Sequence, residues 1–356
     1  MRCFASCPAC RNGDETSCYS GPVPPTDLRA GPQAGLHLTV GALPGRHRMT
    51  DQYQALIDRC AALPSLRTAV VHPVQPAVFT AVHEAVEAGL IEPVLIGPAS
   101  RIATALTEAG HRPDAFEIVD TEHSHAAAAC AAQMAAAGQV GAIMKGSLHS
   151  DELLAEIINP ACGLRTERRI SHAFLMLTRD YPRPFIITDA AVNIAPDLSV
   201  KADIVINAVG LWRVLWGPAR PRVAILAAVE TVNPKMRATL DAAALCKMAD
   251  REQILDADLD GPLAFDNAVS VQAAREKGIV SDVAGQADIM LVPDIESGNI
   301  LAKQLIFMGG ADAAGIVLGA RVPVILTSRA DSVRARLLSC ALAVLMARAR
   351  EKGLVK

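Results

Sequence analysis

The sequence predicts an α/β protein made of two α/β units that share a cleft. Three observations carry that reading. Strand-length runs of Val, Ile and Leu alternate with helix-length amphipathic runs from Met49 onward. The chain is 51% hydrophobic but only 3% aromatic, so its core must be built from Ala, Val, Leu and Ile, which suits helices packed on parallel strands. At 356 residues the chain is long enough for two domains. No flexible linker interrupts it after residue 48, so two units formed there must lie against each other.

The elements follow in order. Residues 51–63 (DQYQALIDRCAAL) have helical periodicity, and 66–73 (LRTAVVHP) form a short strand that its proline stops. A helix is expected over 76–90, with Pro76 and Gly89 marking its ends. A strand at 92–98, a helix at 98–110, a strand at 116–120 and an Ala-rich helix at 124–138 come next, then a strand at 140–146 that closes on Lys145 and Gly146. The texture then changes. Residues 170–177 and 184–191 are close-spaced strands, expected to be an antiparallel pair. A helix follows at 196–215 and a strand at 222–229. The helix at 234–250 has Asn233 as its expected N-cap and Pro234 at its first position. Further expectations are a helix at 264–278, a strand at 287–294, a helix at 297–310, strands at 313–319 and 323–328, and a last helix over 331–350.

Several function classes drop out. A net charge of −3 gives no nucleic-acid signature. The longest apolar stretch, 337–347, falls short of the ~18 residues of a membrane span. Cys60, Cys130, Cys162, Cys246 and Cys340 are scattered through apolar segments and read as reduced, buried thiols of a cytoplasmic protein. Cys3, Cys7, Cys10 and Cys18 crowd the first 18 residues, where four thiolates can close a zinc tetrahedron. Their spacing is not a standard one, and residues 1–48 are rich in Gly, Pro and Arg, so that leader is expected to be disordered or non-native, with Met49 as the start. No phosphate-binding G-x-x-x-x-G-K-[ST], no G-x-G-x-x-G after a strand, no G-x-S-x-G and no H-E-x-x-H is present. His123 and His125, flanking Ser124 at a helix start, fit capping or surface roles better than metal ligation. No metal site is expected.

Ligands of open α/β sheets bind where the carboxyl ends of strands open, and helix N-termini there attract anions. Four strand ends qualify. Lys145 closes an apolar strand and must reach water or an anion, while Ser150 and Asp151 beside it can be ordinary caps. Asn233, in ETVNPK, is either a ligand group or a helix entry. In PDIESGNIL, Gly298 lets a ligand approach the backbone and Asn299 can hold a carbonyl or phosphate oxygen. In LTSRADS, Arg329 suits bidentate phosphate recognition, Ser328 an oxyanion donor and Asp331 a base. The competing reading makes Ser328 or Asp331 a helix cap and pairs Arg329 with Asp331. Arg165, Arg168 and Arg169, with Arg179 and Arg183, form the most basic region, either a solvated face or a site for phosphates of a large anionic ligand.

Six stretches together closely resemble the phosphate acetyltransferase/phosphate butyryltransferase family: NPACGLRTERRISHAF (159–174), IITDAAVNIAPDL (186–198), AAVETVNPKMRATLDAAALCKMADR (227–251), DGPLAFDNAVS (260–270), LVPDIESGNILAKQL (291–305) and GADAAGIVLGARVPVILTSRADS (310–332). They are most similar to the branch of bifunctional enoyl-CoA hydratase/phosphate acetyltransferases, here without a hydratase domain, because 48 leading residues are too few for one. The resemblance implies two α/β domains across a cleft, as in isocitrate and isopropylmalate dehydrogenases. The first domain would take residues 49–165 plus 319–356 and the second 166–318, in a cytoplasmic homodimer. It implies the reaction acyl-CoA + phosphate ⇌ acyl phosphate + CoA, with acetyl or butyryl as the acyl group. Acyl-CoA and phosphate would be its partners, with no cofactor beyond these substrates. Transfer would be direct thiol attack in a ternary complex. The family's Ser-Arg pair matches Ser328 and Arg329. Its thiol-base aspartate falls on Ala335, leaving Asp331 as the nearest carboxylate, and its arginine near the KGSLHS segment falls on Ala155 or a neighbour, so Arg165, Arg168 or Arg169 is expected to compensate. Lys145, Asn233, Gly298 and Asn299 are carried as further substrate-binding candidates. Two alternatives stay open: a decarboxylating dehydrogenase using a metal set drawn from Asp241, Asp250, Asp256, Asp258 and Asp260, and a non-catalytic CoA-binding protein.

Overall fold

The computed structural model describes residues 44–327 and 331–355, with side chains from Gln52 onward. The leader cysteines Cys3, Cys7, Cys10 and Cys18, and the candidates Ser328 and Arg329, lie outside the described residues. The first half runs α1 (Pro44–Ala61), β1 (Leu66–Val71), α2 (Pro76–Glu87), β2 (Ile91–Gly97), α3 (Ala99–Glu108), β3 (Glu117–Asp120), α4 (Ser124–Ala136), β4 (Ala142–Lys145) and α5 (Ser150–Ile158). Then come β5 (Ser171–Leu177), β6 (Phe185–Thr188), α6 (Leu198–Trp216), β7 (Arg222–Leu226), α7 (Arg237–Asp250) and β8 (Asp258–Leu263). The chain closes with α8 (Phe265–Val269), α9 (Val271–Glu276), β9 (Ile289–Leu291), α10 (Ile295–Phe307), β10 (Asp312–Leu318), β11 (Val324–Ile325) and α11 (Val333–Glu351).

The strands join in one mixed sheet of eleven, in the order β3-β2-β1-β4-β11-β10-β5-β6-β9-β7-β8. Two separate sheets are therefore not formed. The reason is β10, which returns antiparallel to both β11 and β5 and so bridges the halves. One row of paired residues crosses ten strands: Ile118, Leu95, Val70, Met144, Ile325, Ile316, Ala173, Thr188, Leu291 and Ile225. The expected antiparallel pairing of β5 with β6 is present.

The two faces of this sheet differ. On one face a single hydrophobic cluster runs through both halves, joining side chains of α1, α2, α3, α6, α7 and α11 to alternate strand residues such as Val70, Ala173, Ile316 and Ile325. On the other face the core is split. One cluster gathers Ala127, Ala131, Leu153 and Ile157 of α4 and α5 under β1, β2 and β4. A second gathers Met176, Ile187, Met290 and Ala302 around β6, β9 and α10. Because strand side chains alternate between faces, His172 and Phe174 of β5 point opposite to Ala173 and meet the gap between these two clusters. α11 is apolar around its whole circumference from Leu338 to Ala347 and is buried accordingly, against β10, β11, α1, α2 and α6. The described residues all fall in one unit.

Three local expectations are corrected, and one further strand is found. α7 begins at Arg237, not at Pro234: Asn233 heads a preceding turn, its Oδ1 accepting from the N–H of Lys235 at 3.0 Å. α10 is headed by Asp294, whose Oδ1 accepts from the N–H of Ser297 at 2.9 Å, so Asn299 sits in the second turn rather than at a helix start. The helix expected over 264–278 breaks in two at Ser270, whose hydroxyl caps α9 by accepting from the N–H of Ala273. The segment DLDGPL is strand β8, tolerated with its Gly and Pro because it lies at the sheet edge.

Candidate functional site

A cleft of about 480 Å³ opens over the gap between the two split cores. α5 contributes Ser150, with His149 just before it, and α10 contributes Asn299, Lys303, Ile306 and Phe307. β5 supplies His172 and Phe174 as its floor. Lys145, at the carboxyl end of β4, and Leu326 and Thr327, just past the parallel β11, close one wall, and Asp331 completes the rim. Among these described residues Lys145 and Lys303 face one carboxylate, Asp331, which suits an anionic ligand. Lys145 and Thr327 are each only 8% exposed, so a ligand meeting them leaves bulk water and feels their dipoles and charge strongly.

The wall made by residues 189–193 is held from within. Asp189 is buried, and its carboxylate accepts from the backbone N–H groups of Ala191, Val192 and Asn193 and from the Asn193 side chain. Burial pushes its carboxyl upward in pKa, and these hydrogen bonds pull it back. Asn299 ties α10 to the same wall by donating its side-chain N–H to the Ala190 carbonyl at 3.2 Å.

The sequence candidates divide. The structure brings Lys145, Asn299 and Asp331 to one cleft. Asp331 is not the cap of α11: Ser332 is, its Oγ accepting from the N–H of Ala335 at 3.1 Å. Arg165 is exposed and pairs by backbone with Ala320, and Arg168 lines a separate cavity of about 320 Å³ with Asn207, Arg213 and Arg350. Asn233 lies in its turn, its N–H donating to the Thr239 hydroxyl. Gly298 is packed by the chain itself, since a Cβ there would sit 2.6 Å from Val292 Cγ2 and 3.1 Å from the Ala190 Cα. Close helix-to-strand packing by itself requires a glycine here. A third cavity, of about 520 Å³, holds no sequence candidate, and its Arg59 is spent on the carbonyls of Leu215 and Val214.

Three residues of the site escape sequence reasoning. Lys303 lies on the polar side of a helix like any other lysine. Asp189 reads as the end of a strand. His172 sits in ISHAF, where the available signal is a polar residue inside an apolar strand.

The aspartates of the dehydrogenase alternative are engaged elsewhere. Asp241 pairs with buried Lys201 at 2.7 Å, Asp250 with Lys247 at 2.6 Å, Asp256 with Arg213 and Asp258 with Arg220 at 2.7 Å, while Asp260 accepts from the N–H of Gly261. Burial pushes the Cys162 thiol up, and burial with Asp260 and Asp250 nearby pushes Cys246 up to about 12, the opposite of an activated nucleophile.

A large α/β sheet with a cleft lined by two lysines and a carboxylate is a frame suited to binding a charged ligand. The comparison with known proteins makes this specific. Residues 124–344 match the profile described as phosphate acetyl/butaryl transferase, and the chain belongs to that family. It is 54% identical over 306 residues to a phosphate acetyltransferase of Rhizobium meliloti, covering 85% of this chain and 96% of that one. It is 38% identical over 299 residues to a phosphate butyryltransferase of Clostridium acetobutylicum, covering 84% and 99%. The crystal structure of a branched-chain phosphotransacylase from Enterococcus faecalis superposes with a TM-score of 0.69 at 29% identity, over 79% of this chain and 99% of the other.

Proposed function

We propose that this chain is a phosphate acyltransferase that moves a short acyl group, acetyl or butyryl, between CoA and inorganic phosphate. Family membership supports the reaction, and one observation supports its location: Lys145, Asn299, Thr327 and Asp331 line a single cleft, and Thr327 and Asp331 flank the Ser328-Arg329 pair in the sequence. In the direction of thioester synthesis the CoA sulfur attacks the acyl carbon, the new C–S bond forms, and the C–O bond to phosphate breaks. A thiol such as cysteine has a pKa of about 8.5, above neutrality, and for the CoA thiol likewise attack at neutral pH needs a group that takes its proton. Asp331 is the proposed base, because it lies on the cleft rim and is released from capping by Ser332. Arg329 neutralises the leaving phosphate, Ser328 donates to the oxyanion, and Lys145 and Lys303 hold the anion. Transfer is direct, within a ternary complex, without an acyl-enzyme.

The finer architecture belongs to the same proposal. Residues 49–165 with 319–356 form one domain and 166–318 the other, in the arrangement of isocitrate and isopropylmalate dehydrogenases. The split core on the cleft face supports this division. The enzyme is a cytoplasmic homodimer, and acyl-CoA and phosphate are its small-molecule partners. The test is release of the CoA thiol from acetyl-CoA or butyryl-CoA on adding phosphate. Release that depends on phosphate supports the proposal. CoA binding without turnover supports the non-catalytic alternative instead.

A further inference from the structure

His172 is fully buried on the floor of the cleft, and neither ring nitrogen has a hydrogen-bond partner. Its surroundings hold it there. The ring meets Phe174 edge-on, with centroids 4.3 Å apart, and the Thr188 hydroxyl fixes the backbone by donating to the His172 carbonyl. Gly315 makes room on the other side: a Cβ at that position would lie 3.0 Å from His172 Nε2 and 2.8 Å from the Leu326 carbonyl oxygen. That carbonyl acts on the imidazole as an acceptor, but outside good hydrogen-bonding geometry.

Leaving a buried polar group unpaired is costly, so each such group calls for an explanation, a catalytic role among them. Here the residue that carries them lies in the floor of the cleft that gathers the site residues. Burial holds the imidazole neutral, down to about pH 3. The ring is a poor proton acceptor here, because taking a thiol proton would bury an imidazolium charge. It can still donate its N–H, and a neutral imidazole is able to polarise a carbonyl in this way.

We propose that His172 is a further catalytic residue of the transfer, donating its N–H to the acyl carbonyl oxygen on the cleft floor. The proposal rests on the acyltransferase reading. As sulfur or phosphate oxygen adds to the carbonyl carbon, the C=O π pair moves onto oxygen, and the imidazole N–H stabilises that charge. When the pair returns, phosphate or thiolate leaves. The imidazole keeps its proton throughout.

The test uses the full chain, with His172→Phe to fill the space without a donor and His172→Gln to restore one. Turnover by the unmutated protein tests the acyltransferase reading by itself. His172→Phe is expected to lower kcat by about 10²–10³, the usual effect of losing one oxyanion donor, with KM for CoA changed by less than about twofold. His172→Gln is expected to recover part of that loss. A readout that a merely structural role leaves unmoved is the infrared carbonyl stretch of bound [1-¹³C]acetyl-CoA. It should be lowered in the unmutated protein and return toward the free value in His172→Phe. If His172→Phe does not fold, the stretch and kcat of His172→Gln against the unmutated protein carry the test, the expected result being a change in both. An active unmutated enzyme with unchanged kcat and an unchanged stretch in the variant overturns the proposal while leaving the acyltransferase reading intact.

Discussion

Asn193 donates its side-chain N–H to Asp189 Oδ2 at 2.7 Å and to the Ile170 carbonyl at 2.9 Å, locking the wall of the cleft to the start of β5. The same carboxylate gathers three backbone N–H groups. Asp189→Ala leaves these donors without an acceptor and is expected to destabilise the fold by roughly 1–3 kcal/mol. Urea unfolding measures this. Because Asn299 hangs on the adjacent Ala190, substrate KM should rise as well.

Lys201 and Asp241 form a buried ion pair between α6 and α7, with Arg237 3.6 Å from the same carboxylate. Removing one member strands a buried charge, so Lys201→Met or Asp241→Leu alone should cost about 3–5 kcal/mol. The double variant should recover most of that loss. A double-mutant cycle in urea checks it, and additive losses would contradict the pair's isolation from water.

Gly298→Ala forces a methyl against Val292 and Ala190. Overpacking of this kind costs about 1–3 kcal/mol, and the loss should be present without any ligand. A variant of unchanged thermal stability but weakened CoA binding would return Gly298 to its role as a site of ligand approach.

The buried His172 makes stability depend on pH. Its folded-state pKa, depressed to about 3, lies below the unfolded value near 6.5. Between these limits the unfolded chain binds the proton and the folded protein does not. Stability from this group is therefore complete above about pH 6.5 and falls by about 1.4 kcal/mol per pH unit below it, until about pH 3. His172→Gln should flatten this part of the stability profile, read as urea midpoints from pH 7 to 4.

Asp331→Asn separates base from orienter, since Ser332 already caps α11. For a base, the rate should fall by roughly 10²–10⁴ with CoA affinity unchanged. The deficit should shrink as pH rises toward the thiol pKa, where substrate arrives as thiolate. Weakened phosphate binding with no rescue at high pH would make Asp331 a support for Arg329.

Much of the fold is legible because buried parallel strands are written as short runs rich in Val, Ile and Leu, as in LRTAVV, EPVLIG and RVAIL. β8 is not, because an edge strand tolerates the Asp, Gly and Pro that mark turns elsewhere. The joining of both halves into one sheet is hidden for a different reason: it depends on the long-range antiparallel return of β10, which leaves no local signal. In the site, Lys145 announces itself by closing an apolar strand. Gly298 misleads, because a glycine needed for close packing reads like one needed for ligand approach. His172 stays hidden because its meaning comes from strand alternation across a gap between two cores, which only the assembled sheet creates.

The central claim is transfer of the acyl group from CoA to phosphate, and ³¹P NMR of the purified protein with phosphate and acetyl-CoA or butyryl-CoA reads it directly. The expected result is a new acyl-phosphate resonance that grows in step with free thiol, one for one, and reverses when CoA is added. Thiol released without an acyl-phosphate signal, or no change in either, would contradict it.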